Sequence, residues 1–549
     1  MPIPPSPGHR LSPFESNLVE LVRARHSVLL VETQESERVI DAVKRLTASD
    51  EFPRRRAVRL YTLTKGLHLP DEPGGRRLTP EDALAQAARV PEPTIFVFHD
   101  LHHQLGATGR PPEPVLVRTI LDTAVQFKTG PVPHTLIIVA PSLELPAELE
   151  KITTVVDLPY PDTAEIEAAL DTIISANREA ITVRLSQDER ERLVQAAQGL
   201  TLWEADNAFA RAIVTDRVLD SGDIELILEE KRQTIRKSGL LEFIPPRASL
   251  ADVGGLDNLK RWLVKRDGAW LPEAELWSLP APKGLLVTGV PGCGKSLTAA
   301  AVSSQWGLPL LRLDVGRVFA GLVGSSEQNM RQALKLAEAV APSILWIDEI
   351  EKGFGSGSAG DSGTSQRVFG SFLTWMQEKK KPVFVMATAN KIDALPPEFL
   401  RKGRFDEIFF VDLPTQHERE EIWRLHLTRR LTEGPRAAGG MELTPQLQSR
   451  LAEESESFSG AEIAQAVISA CFEAFSERRP LEVGDLLRAI ETTIPLAVTQ
   501  SEQVNRIREW AGKRAVAATS ADARDRYSSS APADPEDVAS WRGGRSIDF

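Results

Sequence analysis

The sequence predicts an α/β protein of two parallel-sheet units, the second built around a phosphate-binding loop and followed by a helical lid. Three observations lead there. Apolar runs of strand length alternate with amphipathic stretches in both halves of the chain, the pattern of parallel strands covered by helices on both faces. The passage Gly289-Val-Pro-Gly-Cys-Gly-Lys-Ser296 stands between one such run and a helical stretch. A passage of strand, Leu-Pro-x-Glu, short helix, strand and Val-Asp-Leu-Pro occurs twice, over 135–159 and 383–414.

Residues 1–13 are proline-rich and are expected to be disordered. Phe14–Arg25 reads as an amphipathic helix, Ser27–Glu32 as a buried strand and Glu35–Leu46 as a helix. Helices over Glu81–Arg89 and Val115–Lys128 precede strands at Thr94–Phe98 and Thr135–Ala140. These belong to a first domain over 14–220, whose last part, 162–220, reads as all-helical. A linker over 221–249 contains the charged helix Asp223–Ser238. Across 250–414, strands at Gly284–Thr288, Leu310–Asp314, Ser343–Asp348, Val383–Ala387 and Ile408–Val411 alternate with helices. A helical lid follows over 415–500, then a C-terminal helix and tail over 501–549. Beyond about Ala515 the residues are small and polar, and disorder is expected.

At 549 residues the chain exceeds one compact core. Its net charge of −12 weighs against an extended nucleic-acid footprint. Two cysteines, Cys293 and Cys471, make no disulfide framework and suit a reducing interior. The N-terminus lacks the apolar core of a secretory signal, and no apolar run reaches membrane-span length. A cytoplasmic protein without membrane association is expected.

In the loop, glycines permit backbone angles that let amide N–H groups converge on phosphates, and the helix N-terminus adds partial positive charge. Lys295 would reach the β- and γ-phosphates and the Ser296 hydroxyl would ligate Mg²⁺. Pro291, Gly292, Cys293, Gly294 and Leu297 complete the cradle around the nucleotide. Cys293 admits a redox-sensitive reading beside that of a small tolerated side chain. The apolar run from Ser343 ends in Asp348 and Glu349. Asp348 would hold Mg²⁺ through its water shell, and Glu349 would polarise the attacking water. Asn390 ends the next strand, where it can orient that water. Arg401 and Arg404 follow after a short helix, too far to serve their own nucleotide. Supplied by a neighbour, a guanidinium there would stabilise transition-state charge, which implies a ring or chain of subunits.

The loop, Asp348-Glu349, Asn390 and Leu400-x-x-Gly-Arg-Phe-Asp406 together resemble the AAA clade of AAA+ ATPases over residues 250–480. The resemblance implies ATP and Mg²⁺ as cofactors and a homo-oligomeric, hexameric ring acting on a protein partner. It also implies adenine contacts near Asp252 and Gly254 within Asp252-Val-Gly-Gly-Leu256, and lid contacts from His426, Gly460 and Ala461. More narrowly, the full chain is similar to the family encoded in algal chloroplasts and cyanobacteria as hypothetical chloroplast reading frame 46. Lys283-Gly-Leu-Leu286, Asp348-Glu-Ile-Glu-Lys352, Gly363-Thr-Ser-Gln-Arg-Val-Phe-Gly370 and Phe372-Leu-Thr-Trp-Met-Gln-Glu378 carry that likeness. Two departures matter. The stretch matching the pore loop of threading unfoldases is Gly321-Leu-Val-Gly324, with Leu322 where an aromatic residue is usual. The Gly/Ser-rich run Gly353–Gly363 reads either as a partner-binding loop facing the pore or as a mobile surface loop.

The internal repeat makes residues 14–220 a degenerate AAA-like copy. From Leu145 to Val156 is 11 positions, against 16 from Leu395 to Val411, so the first copy lacks the equivalent of Arg401–Phe405. Its loop position, Val31-Glu-Thr-Gln-Glu-Ser-Glu-Arg38, has no glycine, and its glutamates would repel phosphate. Its acidic-strand equivalent is Phe98-His-Asp100. His99, His102 and His103 lie close in sequence, and without cysteines or a carboxylate set they read as structural or solvated histidines rather than metal ligands. Three functional readings remain: an ATP-driven remodeller of a protein partner, an ATP-dependent switch or scaffold whose inactive half recruits partners, and, least supported, a nucleic-acid-acting ATPase.

Overall fold

The computed structural model describes residues 11–520 apart from 73, 107–110, 142–144, 246–248, 271–273, 275, 320–324, 355–361, 402 and 435–440. The chain divides into two compact units, Met1–Ile227 and Leu228–Phe549.

In the first unit, β1 (Val28–Glu32), β2 (Ala57–Thr62), β3 (Gly66–His68), β4 (Thr94–His99), β5 (Thr135–Ala140) and β6 (Thr153–Val156) form one sheet in the order β3-β2-β4-β5-β1-β6. All its pairings are parallel except β2 with β3. β4 and β5 are buried along their whole length, as a strand covered on both faces must be. Leu29, Val31, Val39 and Ile137 build the core on one face, and Leu30, Phe96, Phe98 and Phe127 build it on the other. β2 and β3 were not predicted. β2 alternates buried and half-buried residues around Arg59, so it lacks the continuous apolar run of a central strand. Helices Thr163–Ala176, Gln187–Ala197 and Leu202–Asp216 each begin at a capping box, closed by Asp162 with Glu165, Ser186 with Glu189 and Thr201 with Glu204. Strands β7 (Thr182–Val183) and β8 (Val218–Leu219) pair beside them, so 162–220 is not all-helical.

In the second unit, β9 (Leu241–Ile244), β10 (Gly284–Gly289), β11 (Leu310–Leu313), β12 (Ser343–Ile347), β13 (Val383–Ala389), β14 (Glu407–Val411) and β15 (Val516–Ala517) take the order β15-β14-β10-β13-β12-β11-β9. Numbered in chain order, the central strands β10 to β14 run 5-1-4-3-2 across the sheet. The strands β1, β2, β4, β5 and β6 of the first unit give the same order. The repeated sequence passage therefore occupies equivalent strands, β5–β6 and β13–β14, flanking β1 and β10 respectively. The fold is α/β, a P-loop parallel sheet with a helical lid preceded by an AAA-like α/β domain.

Three expectations need correction. Leu241–Ile244, assigned to the helical linker, pairs antiparallel with β11 at one sheet edge. Val516–Ala517, assigned to the disordered tail, pairs parallel with β14 at the other edge, and Ala518 is fully buried. Small residues cannot form a core of their own, but a preformed edge supplies the backbone partners they need. At the N-terminus, Pro13 opens the helix Pro13–Arg23, capped by Ser12 and Glu15. Residues 1–10 and 521–549 lie outside the described residues, as do Leu322 and most of the Gly/Ser-rich run.

The lid consists of helices Gln416–Glu433, Pro445–Glu454, Gly460–Ser476 and Val483–Thr492, packed around Trp423, Leu427, Leu451, Ile463, Val467 and Leu486. Among the described residues, no helix is long and apolar enough to cross a membrane.

Candidate nucleotide site

β10 is central and buried, and it delivers the glycine loop at its carboxyl end. Gly289 has φ +147°, and a Cβ there would lie 1.9 Å from the Val411 carbonyl oxygen. Gly292 and Gly294 have φ of +80° and +87°, the left-handed region that glycine enters without strain. Helix Lys295–Trp306 starts at once, so its free N–H groups face the loop. Lys295 is buried, and its Nζ donates to the carbonyls of Gly289 at 2.9 Å and Val290 at 2.8 Å. Burial lowers its pKa to about 8, against the opposing pull of the carboxylates of Glu351, Asp348 and Glu349.

β12 and β13 lie side by side and parallel, and carry the acidic and polar groups to the same carboxyl end of the sheet. The Ser296 hydroxyl donates to Asp348 Oδ1 at 3.1 Å, and the Thr388 hydroxyl donates to the same oxygen at 2.6 Å. The Glu349 N–H donates to Thr388 Oγ1 at 2.9 Å, and Asn390 Nδ2 donates to Glu349 Oε1 at 2.8 Å. Lys352 pairs with the other carboxylate oxygen of Glu349. Glu349 has φ +49°, a conformation unusual for a residue with a side chain. Ser296, Asp348, Glu349 and Asn390 thus form one cluster with the loop, as their chemistry requires. Thr388 was not foreseen. It lies on β13, near the strand's carboxyl end.

The donors near Ser296 are hard oxygens, which suits Mg²⁺. Among the described residues, no group of three or more His, Cys, Asp or Glu side chains is arranged to hold a metal alone. A cation at Ser296 and Asp348 would need phosphate and water oxygens to complete its shell.

Beside the loop opens a cavity of about 210 Å³ lined by Asp252, Gly254, Gly292, Cys293, Gly294, Leu297, His426, Gly460 and Ala461. Pro291, Lys295 and Ser296 belong to the loop and the start of its helix and do not line this cavity. Lining residues not predicted include Leu256, Val411 and Asp412, which lie in quoted passages without an assigned role, and Glu418, Ile422 and Leu425, which bear no motif. The Ala461 N–H donates to Gly292 O at 3.0 Å and so joins the lid to the loop. The Asp252 carboxylate accepts from Ser249 N at 2.7 Å and from Ser249 Oγ at 2.8 Å. Burial pushes the Cys293 thiol up to about 12, so it is no thiolate at neutral pH. Burial, helped by Arg429 and Arg430, keeps the His426 pKa below its ordinary value. Arg401 is exposed. Arg404 is buried, donates to the Glu398 carbonyl, and has its pKa lowered by burial.

The first unit fills the equivalent position with its own side chains. Arg38 donates to Glu165 at 3.0 Å and 2.5 Å, to Glu35 at 3.2 Å and to the Pro159 carbonyl at 2.5 Å. Glu35 Oε1 accepts the N–H of Leu202, the first residue of a lid-like helix, at 2.7 Å. The rings of His102 and His103 lie 4.0 Å apart, and burial lowers the pKa of His99 and of His102.

Residues 285–413 match the family model described as ATPase family associated with various cellular activities (AAA). Residues 14–158 and 164–238 match the N-terminal and second domains of the SpoVK-like AAA ATPases. The chain is 39% identical over 504 residues to the uncharacterized AAA domain-containing protein ycf46 of Pyropia yezoensis, covering 91% of this chain and 98% of that protein. It is 37% identical over 502 residues to ycf46 of Guillardia theta, with coverage of 91% and 95%. To ycf46 of Trieres chinensis it is 36% identical over 507 residues, with coverage of 91% and 96%. At 36–39% identity along almost the whole of these relatives, the chain belongs to the ycf46 family of AAA domain-containing proteins.

Proposed function

We propose that the chain hydrolyses ATP with Mg²⁺ and works as a homo-oligomeric ring, hexameric as is usual for AAA proteins, that remodels or regulates a protein partner. The observation that carries this reading is the cluster in which Asn390 holds Glu349 while Ser296 and Thr388 hold Asp348, at the mouth of the glycine loop. Lys295 and the loop amides bind and orient the phosphates. Ser296 and Asp348 would hold Mg²⁺, which neutralises phosphate charge. Glu349 is positioned to draw a proton from the attacking water, and its hydrogen bond from Asn390 fixes the carboxylate that does so. Arg401 and Arg404 would act on a neighbour's nucleotide.

A purified full-length Glu349→Gln variant is expected to bind ATP and lose at least about a hundredfold in phosphate release, in the range typical of a lost general base. Unchanged turnover in that variant would sink the assignment. Partners held in its ATP state are expected to accumulate in a pull-down.

A second reading is a nucleotide-dependent switch or scaffold in which the first unit recruits partners without threading. Leu322 in place of an aromatic residue favours it. Partner remodelling that survives Leu322→Ala but not Glu349→Gln would select it.

A further inference from the structure

A C-terminal segment supports the pocket from behind without lining it. After helix Ser501–Arg514 the chain runs along β14 and then meets the first turn of helix Asp257–Val264, just after the motif Asp252–Leu256. Asn258 Nδ2 donates to the carbonyls of Ala517 and Thr519, each at 3.1 Å, and the Asn258 N–H donates to Ala518 O at 3.0 Å. The Thr519 hydroxyl donates to Glu418 Oε1 at 2.9 Å, and that same oxygen accepts the Leu256 N–H at 3.1 Å. Arg508 Nε lies 3.0 Å from both carboxylate oxygens of Asp412. Leu256, Asp412 and Glu418 all line the pocket. Glu418 also closes the capping box of the first lid helix with Thr415. One buried carboxylate oxygen therefore joins the α/β core and the C-terminal segment to the hinge of the lid.

We infer that residues 508–519 form a strap that fixes one wall of the pocket and the lid hinge, with Thr519 and Arg508 as positioning residues for nucleotide binding. This rests on the pocket being a nucleotide site. Without the strap, Glu418 loses a donor and Leu256 an anchored partner, and bound nucleotide must itself order the wall. Strap and nucleotide then order the same residues, which makes the strap a control point on affinity.

The test is isothermal titration of the full-length protein with ADP and Mg²⁺, beside steady-state turnover of ATP. Thr519→Val is expected to weaken ADP binding about fivefold, the effect of one lost buried hydrogen bond. KM for ATP should rise while kcat changes by less than about twofold, and Thr519→Ser should restore affinity because it keeps the hydroxyl. Arg508→Gln, at a side chain 37% exposed, is expected to weaken binding similarly and carries the test if Thr519→Val does not fold. Wild-type affinity in both variants, with only a lower melting temperature, would reduce the strap to a structural element and overturn the inference alone. Wild-type protein that binds neither ADP nor ATP would overturn the nucleotide-site reading, and this inference with it.

Discussion

Lys295 lies against the carbonyls of its own loop, and burial brings its pKa down to about 8 from an ordinary value of 10.5. The free site therefore keeps the ammonium charge below that pH and loses it above. Phosphates bind the charged form, so affinity should be level at lower pH and fall as pH rises through 8. ADP binding is expected to be about fivefold weaker at pH 9 than at pH 8 by proton linkage. A level profile would show that the nearby carboxylates outweigh burial. At this scale the sequence was most legible where chemistry restricts residue type, as at Gly289, Lys295, Asp348 and Asn390. Thr388 was passed over because threonine in a strand is ordinary, and its role arises only from lying 2.6 Å from Asp348.

Elements show how two copies of one topology are closed by different means. In the second unit the Ala461 N–H meets the loop carbonyl of Gly292, next to the cavity. In the first, Glu35 and Arg38 close the corresponding position with the protein's own charges, at side-chain exposures of 11% and 8%. Removing one partner of such a buried set leaves the others uncompensated. Arg38→Met is expected to destabilise the first unit by about 3 kcal/mol, read as a lower denaturant midpoint of that unit. Hydrogen exchange should also show ATP protecting Gly460–Ser476 but not Leu202–Asp216. Protection of Leu202–Asp216 by ATP would refute the self-closed site.

For the whole molecule, the proposed ring turns on what one subunit would contribute to another. Arg401 is exposed and available to a neighbour, whereas Arg404 is folded onto Glu398 of its own chain. Arg401→Ala is therefore expected to lose turnover with nucleotide binding and melting temperature intact, while Arg404→Ala lowers the melting temperature as well. Mixing Arg401→Ala subunits with Glu349→Gln subunits should restore phosphate release above the sum of the two, because each supplies what the other lacks. Strictly additive activity would exclude fingers acting in trans.

The sequence by itself determined the glycine loop, the acidic strand, the strand–helix alternation and the loss of all three chemical parts from the first copy. Those features are local: a few adjacent residue types are what phosphate, metal and water chemistry demands, so they can be read without a fold. Tertiary structure decided which surfaces meet. β9 and β15 are only four and two residues long, too short to announce themselves, and they exist because open sheet edges bind backbone. The strap through Thr519, the Thr388 contact and the Arg38 cluster join residues far apart in the chain, and no spacing rule connects them. Their energies come from burial and hydrogen bonding that only the folded chain creates.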